Sequence, residues 1–345
     1  MSSPEAAPQA RPSPAQALQQ MLTGAWVAQS ISVIATLGVA DLLKDGPKTA
    51  QQLAEQTSTH ADSLYRVLRA LATLGVFAET DDARFALTPI SQCLRSDTPD
   101  SFRNAARMSR LPIFWKSWGE LLDCVKTGET GLKRAFGMIN PFEHFAQHPE
   151  EGAIFNGAMT EMSRDVGPAI AAAYDFGKFR TIVDAGGGHG SLLISILRRH
   201  PAPRGLVFDL PQVVKGAQPA IAAAGLSPRC ETVAGNLFES VPSGADAYIL
   251  KAIIHGFERE NCLKILSNIR QAIAPQGRLL LIERVIHAGS EPSFNKIADL
   301  QMLVMSGGRE RTPAEYEELL GAAGFTLAQV HATAAPQSIV EGIPA

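Results

Sequence analysis

Cysteine is scarce in this chain, and the four present, Cys93, Cys124, Cys230 and Cys262, stand far apart. That excludes a disulfide-rich secreted scaffold and lacks the short Cys-x-x-Cys pairs of structural metal sites, so reduced structural thiols and no metal are expected. Equally absent is any apolar run near the twenty residues of a membrane span. With apolar residues near half, charged residues near a fifth and a mean hydropathy close to zero, a globular cytosolic protein is expected, without a membrane partner. The start, "MSSPEAAPQARPSPAQ", lacks the basic end, apolar middle and cleavage site of a secretory signal, and its Pro/Ala/Ser content predicts a disordered tail over 1–16. A net charge of -3 lacks the positive excess of an extended nucleic-acid surface.

What is present is enough chain, at 345 residues, for two domains. From Ala17 the text reads helical, and in "ADSLYRVLRALATLGVFAET" Leu64, Val67, Leu68, Leu71 and Leu74 recur at helical spacing until Gly75. Two short alternating pieces follow, and helix, helix, hairpin is the winged-helix order. Such a module reads DNA through a basic second helix. This one offers Arg66 and Arg69, and between Ala17 and Ala105 nine acids outnumber seven bases, so no nucleic-acid partner is expected. Its alternative task is dimerisation or the shaping of a pocket. "MLTGAWVAQSISVIATLGVADLL" supports that, because its apolar residues cover nearly every helical face and need another element or subunit to bury them.

The expected order is a winged-helix-like domain over 17–110, a helical bridge over 111–174 and a final domain over 175–345. In the last, "TIVDAG", "RGLVFDL", "RCETVAG", "DAYILK", "RLLLIERV" and "FTLAQVHA" alternate with helical stretches. That alternation predicts a largely parallel sheet covered on both faces, a Rossmann-like α/β domain.

Ligands on such sheets bind beyond the carboxyl ends of the strands, where "VDAGGGHG" runs from strand through a bare turn to a helix. Gly186, Gly187 and Gly188 are expected to adopt positive φ and let a ligand approach. The G-x-G-x-x-G of dinucleotide readers fails at Ser191. Asp184, just before the glycines, disfavours a diphosphate and suits a ligand with a cationic end, such as S-adenosyl-L-methionine. Asp209, ending "VFD", is placed for ribose hydroxyls, Asn236 for the adenine amine, and Leu237 or Phe238 for the ring face.

Taken together, the N-terminal module, "FNGAM", "VDAGGGHG", "FDLP", "GNLF", "DAYILKAIIHGF", "LLLIERV", "DLQMLVMSGGRERT" and "SIVEGIPA" resemble the plant-type and bacterial small-molecule O-methyltransferases over nearly the whole chain. The resemblance implies a homodimer joined through the N-terminal domain. It also implies an S-adenosylmethionine site drawing on Asp184, Gly186, Gly188, Asp209, Leu210, Asn236, Leu237 and Lys251. The family commonly has Asp where this chain has Asn236.

For methyl transfer to a small aromatic hydroxyl, His255 is the expected general base, just past a strand end. The resemblance implies that Glu283 and Glu310 flank and orient its ring. The alternative for either acid is an ion pair with Arg284, Arg309 or Arg311. The family usually spells His-Asp where this chain has His255-Gly256, and relatives of the fold with the same cofactor hydroxylate, decarboxylate or catalyse pericyclic reactions. The acceptor pocket is expected to draw on Phe145, Phe155, Met159, Met162, Met302 and Met305, whose alternative is ordinary core packing.

Overall fold

The computed structural model describes residues 12–345. The greater part of the expected tail, residues 1–11, lies outside them. The chain forms two compact units, one running to Trp115 and including Phe145–Met162, the other comprising Lys116–His144 and Ser163–Ala345. Among the described residues no helix is long and apolar enough to cross a membrane.

In the first unit a helix begins at Pro14, ahead of the expected start at Ala17, because Ser13 caps it. The Ser13 hydroxyl accepts from Gln16 N, the Gln16 amide oxygen accepts from Ser13 N, and Pro14 supplies the preset first turn. The helices Ala50–Thr57 and Ala61–Thr73 lie between β1 (Lys48–Thr49) and the hairpin of β2 (Phe77–Glu79) and β3 (Arg84–Leu87), which together make a three-stranded sheet in the order β1-β3-β2. Leu64, Leu68 and Leu71 turn inward onto Leu53, Phe77 and Phe85, the winged-helix arrangement the spacing predicts. The segment expected to be buried on nearly every face breaks at Gly38, and among the described residues its outer apolar side chains stand exposed: Met21 is 77% and Trp26 72% exposed.

The second unit is built on seven strands: β4 (Thr181–Ala185), β5 (Arg204–Asp209), β6 (Cys230–Ala234), β7 (Ala247–Lys251), β8 (Arg278–Arg284), β9 (Phe325–His331) and β10 (Gln337–Pro344). Their order is β6-β5-β4-β7-β8-β10-β9, parallel from β6 to β8, with β10 antiparallel to both its neighbours. Successive side chains alternate between two buried layers. Ile182, Val207, Ile249 and Leu280 enter one, and Val183, Phe208, Tyr248 and Leu281 the other, so both faces are covered as a parallel sheet requires. The chain steps outward from β4 through β5 to β6, then returns to β7 on the other side of β4. That reversal places a ligand crevice at the carboxyl ends of β4 and β7.

Candidate active site

The turn after β4 is built around one carboxylate. Asp184 is 1% exposed, and its Oδ2 has no hydrogen-bond partner among the described residues. Burial pushes its pKa up to about 7, with Lys251 opposing and the negative charge of Asp209 adding to the rise. Of the three glycines expected at positive φ, Gly186 (+75°) and Gly188 (+58°) are there and Gly187 is not. Position 187 is glycine for space, since a Cβ would sit 2.8 Å from Asp184 Cγ. Gly190, at +78°, is the remaining left-handed residue of the turn and opens the helix Ser191–Arg199.

Asp209 ends β5, where its carboxylate accepts from Gly188 N at 2.8 Å and Leu210 N at 2.7 Å, tying the glycine turn to the neighbouring strand. Leu210 is left partly exposed at the same edge. After β6, Asn236 accepts from Phe238 N through Oδ1 and donates to Glu239, which shapes the turn that carries Leu237. A buried orphan carboxylate, an acid at the next strand end and apolar side chains beyond it fit a ligand with a cationic end, a ribose and an adenine ring. The residues present therefore fit S-adenosylmethionine.

His255 sits in the single 3-10 turn Ile254–Gly256 that follows β7. Its Nδ1 lies 2.9 Å from Glu310 Oε1 and 3.7 Å from Glu283 Oε2. A carboxylate only accepts, so Nδ1 carries the proton and Nε2 is left as the acceptor. Burial alone lowers an imidazole pKa. The charges of Glu283 and Glu310 and the Glu310 hydrogen bond override it, and the net result is a rise above 6.5.

Glu283 also fixes the loop, because its Oε1 accepts from Ile253 N at 3.1 Å and Ile254 N at 2.8 Å. Burial raises its pKa. The arginine pairing open to these acids does not form. Arg309 pairs with Glu315, and both buried acids turn to the histidine. The three ligand-type atoms lie within 4.8 Å of one another, and a direct Nδ1–Oε1 hydrogen bond joins two of them.

The apolar acceptor residues divide between the units. In the first, Phe145 stacks on Phe155 at 4.5 Å beside Phe114, Met159 is half-buried and Met162 is exposed. In the second, Met305 is buried and Met302 half-buried. A cavity of about 710 Å³ opens in the second unit, walled by Glu129, Glu258, Asp299, Ser306, Arg309 and Glu310, and neither methionine lines it.

Sequence reasoning missed several groups around the base. Asp299 accepts from Glu310 N at 2.7 Å, and a Cβ on Gly308 would lie 1.9 Å from the carbonyl oxygen of His255. The signal available was the Gly-Gly of "SGGRERT", whose second glycine is demanded by contact with a loop some fifty residues away.

The O-methyltransferase domain model matches residues 118–326, and the O-methyltransferase dimerisation domain matches residues 19–97. A phenazine O-methyltransferase of Lysobacter antibioticus is 44% identical over 95% of either chain. The solved structure of a mitomycin 7-O-methyltransferase superposes with a TM-score of 0.89 at 36% identity, covering 96% of this chain and 98% of the other. An O-methyltransferase of neocarzinostatin biosynthesis, solved with S-adenosylmethionine and 2-hydroxy-5-methyl naphthoic acid, gives 0.80 at 32% identity, covering 92% and 96%. The chain belongs to this O-methyltransferase family, with its dimerisation domain, and is an S-adenosylmethionine-dependent O-methyltransferase.

Proposed function

We propose that the protein methylates a hydroxyl on a small, flat natural-product acceptor, with His255 as general base. The observation that carries this is the Nδ1–H of His255 on Glu310, which leaves Nε2 free to take a proton. S-adenosylmethionine supplies an electrophilic methyl when bound. Asp184 would hold its cationic end, Asp209 its ribose hydroxyls, and Leu210 and Leu237 its adenine ring, with Gly186, Gly188, Asn236 and Lys251 shaping the rest of that site. The phenazine, mitomycin and hydroxynaphthoic acid named for the relatives support a fused aromatic or quinone-like acceptor.

A phenol near pKa 10 and an imidazole near 6.5 are mismatched by about 3.5 units, close to 5 kcal/mol in water. Two buried carboxylates that raise the imidazole pKa narrow that gap, and the cationic cofactor favours the phenolate. Glu283 and Glu310 therefore act through the ring, by orienting it and by stabilising its protonated form.

The outward Met21 and Trp26, together with the dimerisation domain, support a homodimer joined through the N-terminal half. The acidic balance of that half supports a small-molecule rather than a nucleic-acid partner.

The test is incubation with methyl-labelled cofactor and a panel of hydroxylated phenazines, naphthoates and aminobenzoates, read by mass spectrometry. Label on oxygen is expected. Label confined to ring or amine nitrogen redirects the assignment, and cofactor binding with no methyl transferred to any acceptor overturns it.

A further inference from the structure

The turn that carries His255 is held from its carbonyl side as well as its amide side. Ile254 O accepts from Arg311 Nη1 at 3.2 Å and from the Cys262 thiol at 3.2 Å. The same thiol lies 3.4 Å from Phe257 O, and Arg311 Nη2 lies 3.6 Å from Cys262 Sγ. Within the turn the guanidinium donates to Ile254 O, and beside it to the sulfur, while the thiol has a single proton to share between two carbonyls. Together they clamp Ile254 to Phe257, the segment that contains the base.

Arg311 is placed to register all three charged groups of the site. It follows Glu310 in the chain. Its backbone forms a parallel bridge with Val285, and its carbonyl accepts from Ile286 N at 2.9 Å, which pins it just beyond Glu283 on β8. Its side chain then reaches the residue before His255. It is 5% exposed and has no carboxylate partner among the described residues, an expensive state for a cation unless its donors are used. The donors go to Ile254 O, Arg309 O and Cys262 Sγ.

We infer that Arg311 is a positioning residue that holds His255 against Glu283 and Glu310, with Cys262 as the second jaw of the clamp. The inference rests on the reading of His255 as the base. Without the clamp the imidazole moves off its carboxylates and Nε2 loses its aim, and a displacement of about 1 Å at a reacting group costs about 10²-fold in rate.

The test is the titration of the His255 ring by NMR in Arg311→Met, alongside kcat and the cofactor Kd. Removing a positive charge without moving the ring raises the His255 pKa, whereas releasing the ring from its two carboxylates lowers it. The two explanations therefore have opposite signs. A fall in the His255 pKa toward 6.5 is expected, with kcat down about 10- to 100-fold and cofactor affinity little changed.

A folded Arg311→Met protein whose His255 pKa is unchanged or raised overturns the inference. If Arg311→Met does not fold, Cys262→Ser and Cys262→Val take its place. The serine hydroxyl can still donate and keeps the parental pKa, while valine lowers it, and equal values in the two overturn the clamp. His255→Ala judges the base reading separately. Full activity in that variant removes the base, while the ring titration still reports whether Arg311 positions the residue.

Discussion

Gly308 packs directly on the backbone of His255: a Cβ at position 308 would stand 1.9 Å from the His255 carbonyl oxygen and 2.8 Å from the Gly256 carbonyl carbon. Both obstacles are main chain and no rotamer relieves them. Gly308→Ala therefore has to displace the turn that carries the base. Turnover is expected to fall by about 10²-fold or more, with cofactor affinity near that of the parent because position 308 lies outside the cofactor residues. Steady-state kinetics beside calorimetric titration with S-adenosylmethionine check this, and parental kcat in Gly308→Ala would contradict the geometry.

The pH profile follows from the raised pKa of His255. A base works unprotonated, so activity is lost as pH falls through the folded-state pKa, and the acid limb of kcat is expected above 6.5. Glu310→Gln removes one of the charges that hold the proton on. The limb then moves to lower pH while the plateau rate drops, because the ring is less well held. A limb that stays in place would show that another group titrates there.

Asp184 sets a conflict between stability and binding. Its carboxyl titrates near pH 7 in the folded chain against 3.8 unfolded. The folded state holds the proton more tightly, and the cofactor-free protein loses stability as pH rises from about 4 to 7. Asp184→Asn is expected to raise the melting temperature of the cofactor-free protein at pH 8. It should weaken S-adenosylmethionine roughly 10- to 100-fold, the worth of a hydrogen bond to a charged group. Parental affinity should decline below pH 7. Thermal melts and titrations over pH 6 to 8 measure both, and unaltered affinity in the variant would remove Asp184 from the site.

Gly256 has open space where a Cβ would stand: among the described residues none beyond its own chain neighbours has an atom within 4 Å. Its φ is ordinary, so the residue type is free there. Gly256→Asp, which restores the spelling common in the family, is expected to fold and to keep or increase turnover, since a carboxylate beside His255 raises its pKa further. A loss of more than about 10-fold in kcat would mean that glycine is required at this point.

Most of what positions the site was legible because the central parallel strands β4, β5, β7 and β8 carry apolar runs that give way at or near their carboxyl ends to polar or glycine residues: Gly186 after Ala185, Asp209, Lys251 and Glu283. The last strand was not. "QSIVEGIP" carries Gly342 and Pro344, both poor strand formers, and its register shifts at Glu341/Gly342, so pairing with β8 and β9 rather than local propensity makes it β10. The carboxylates' partner was legible as a set of alternatives, and only tertiary contact decides for the histidine over Arg309. Arg311 was legible only as an ion-pair alternative for the two acids and Cys262 only as a reduced thiol; their hold on the turn left no trace, because their partners there are backbone carbonyls that any residue would supply. The helix start at Pro14 was masked by a Pro-rich composition, although Ser13 and Gln16 carry its capping signal.

The account stands on His255 as the base, and the most direct measurement is methyl transfer by His255→Ala at saturating cofactor, with the cofactor Kd determined on the same preparation. A loss of about 10² to 10⁴ in turnover with an unchanged Kd is predicted, because the ring lies in the turn after β7 and not among the residues assigned to the cofactor. Turnover equal to that of the parent, with the protein folded and the cofactor bound, would contradict it.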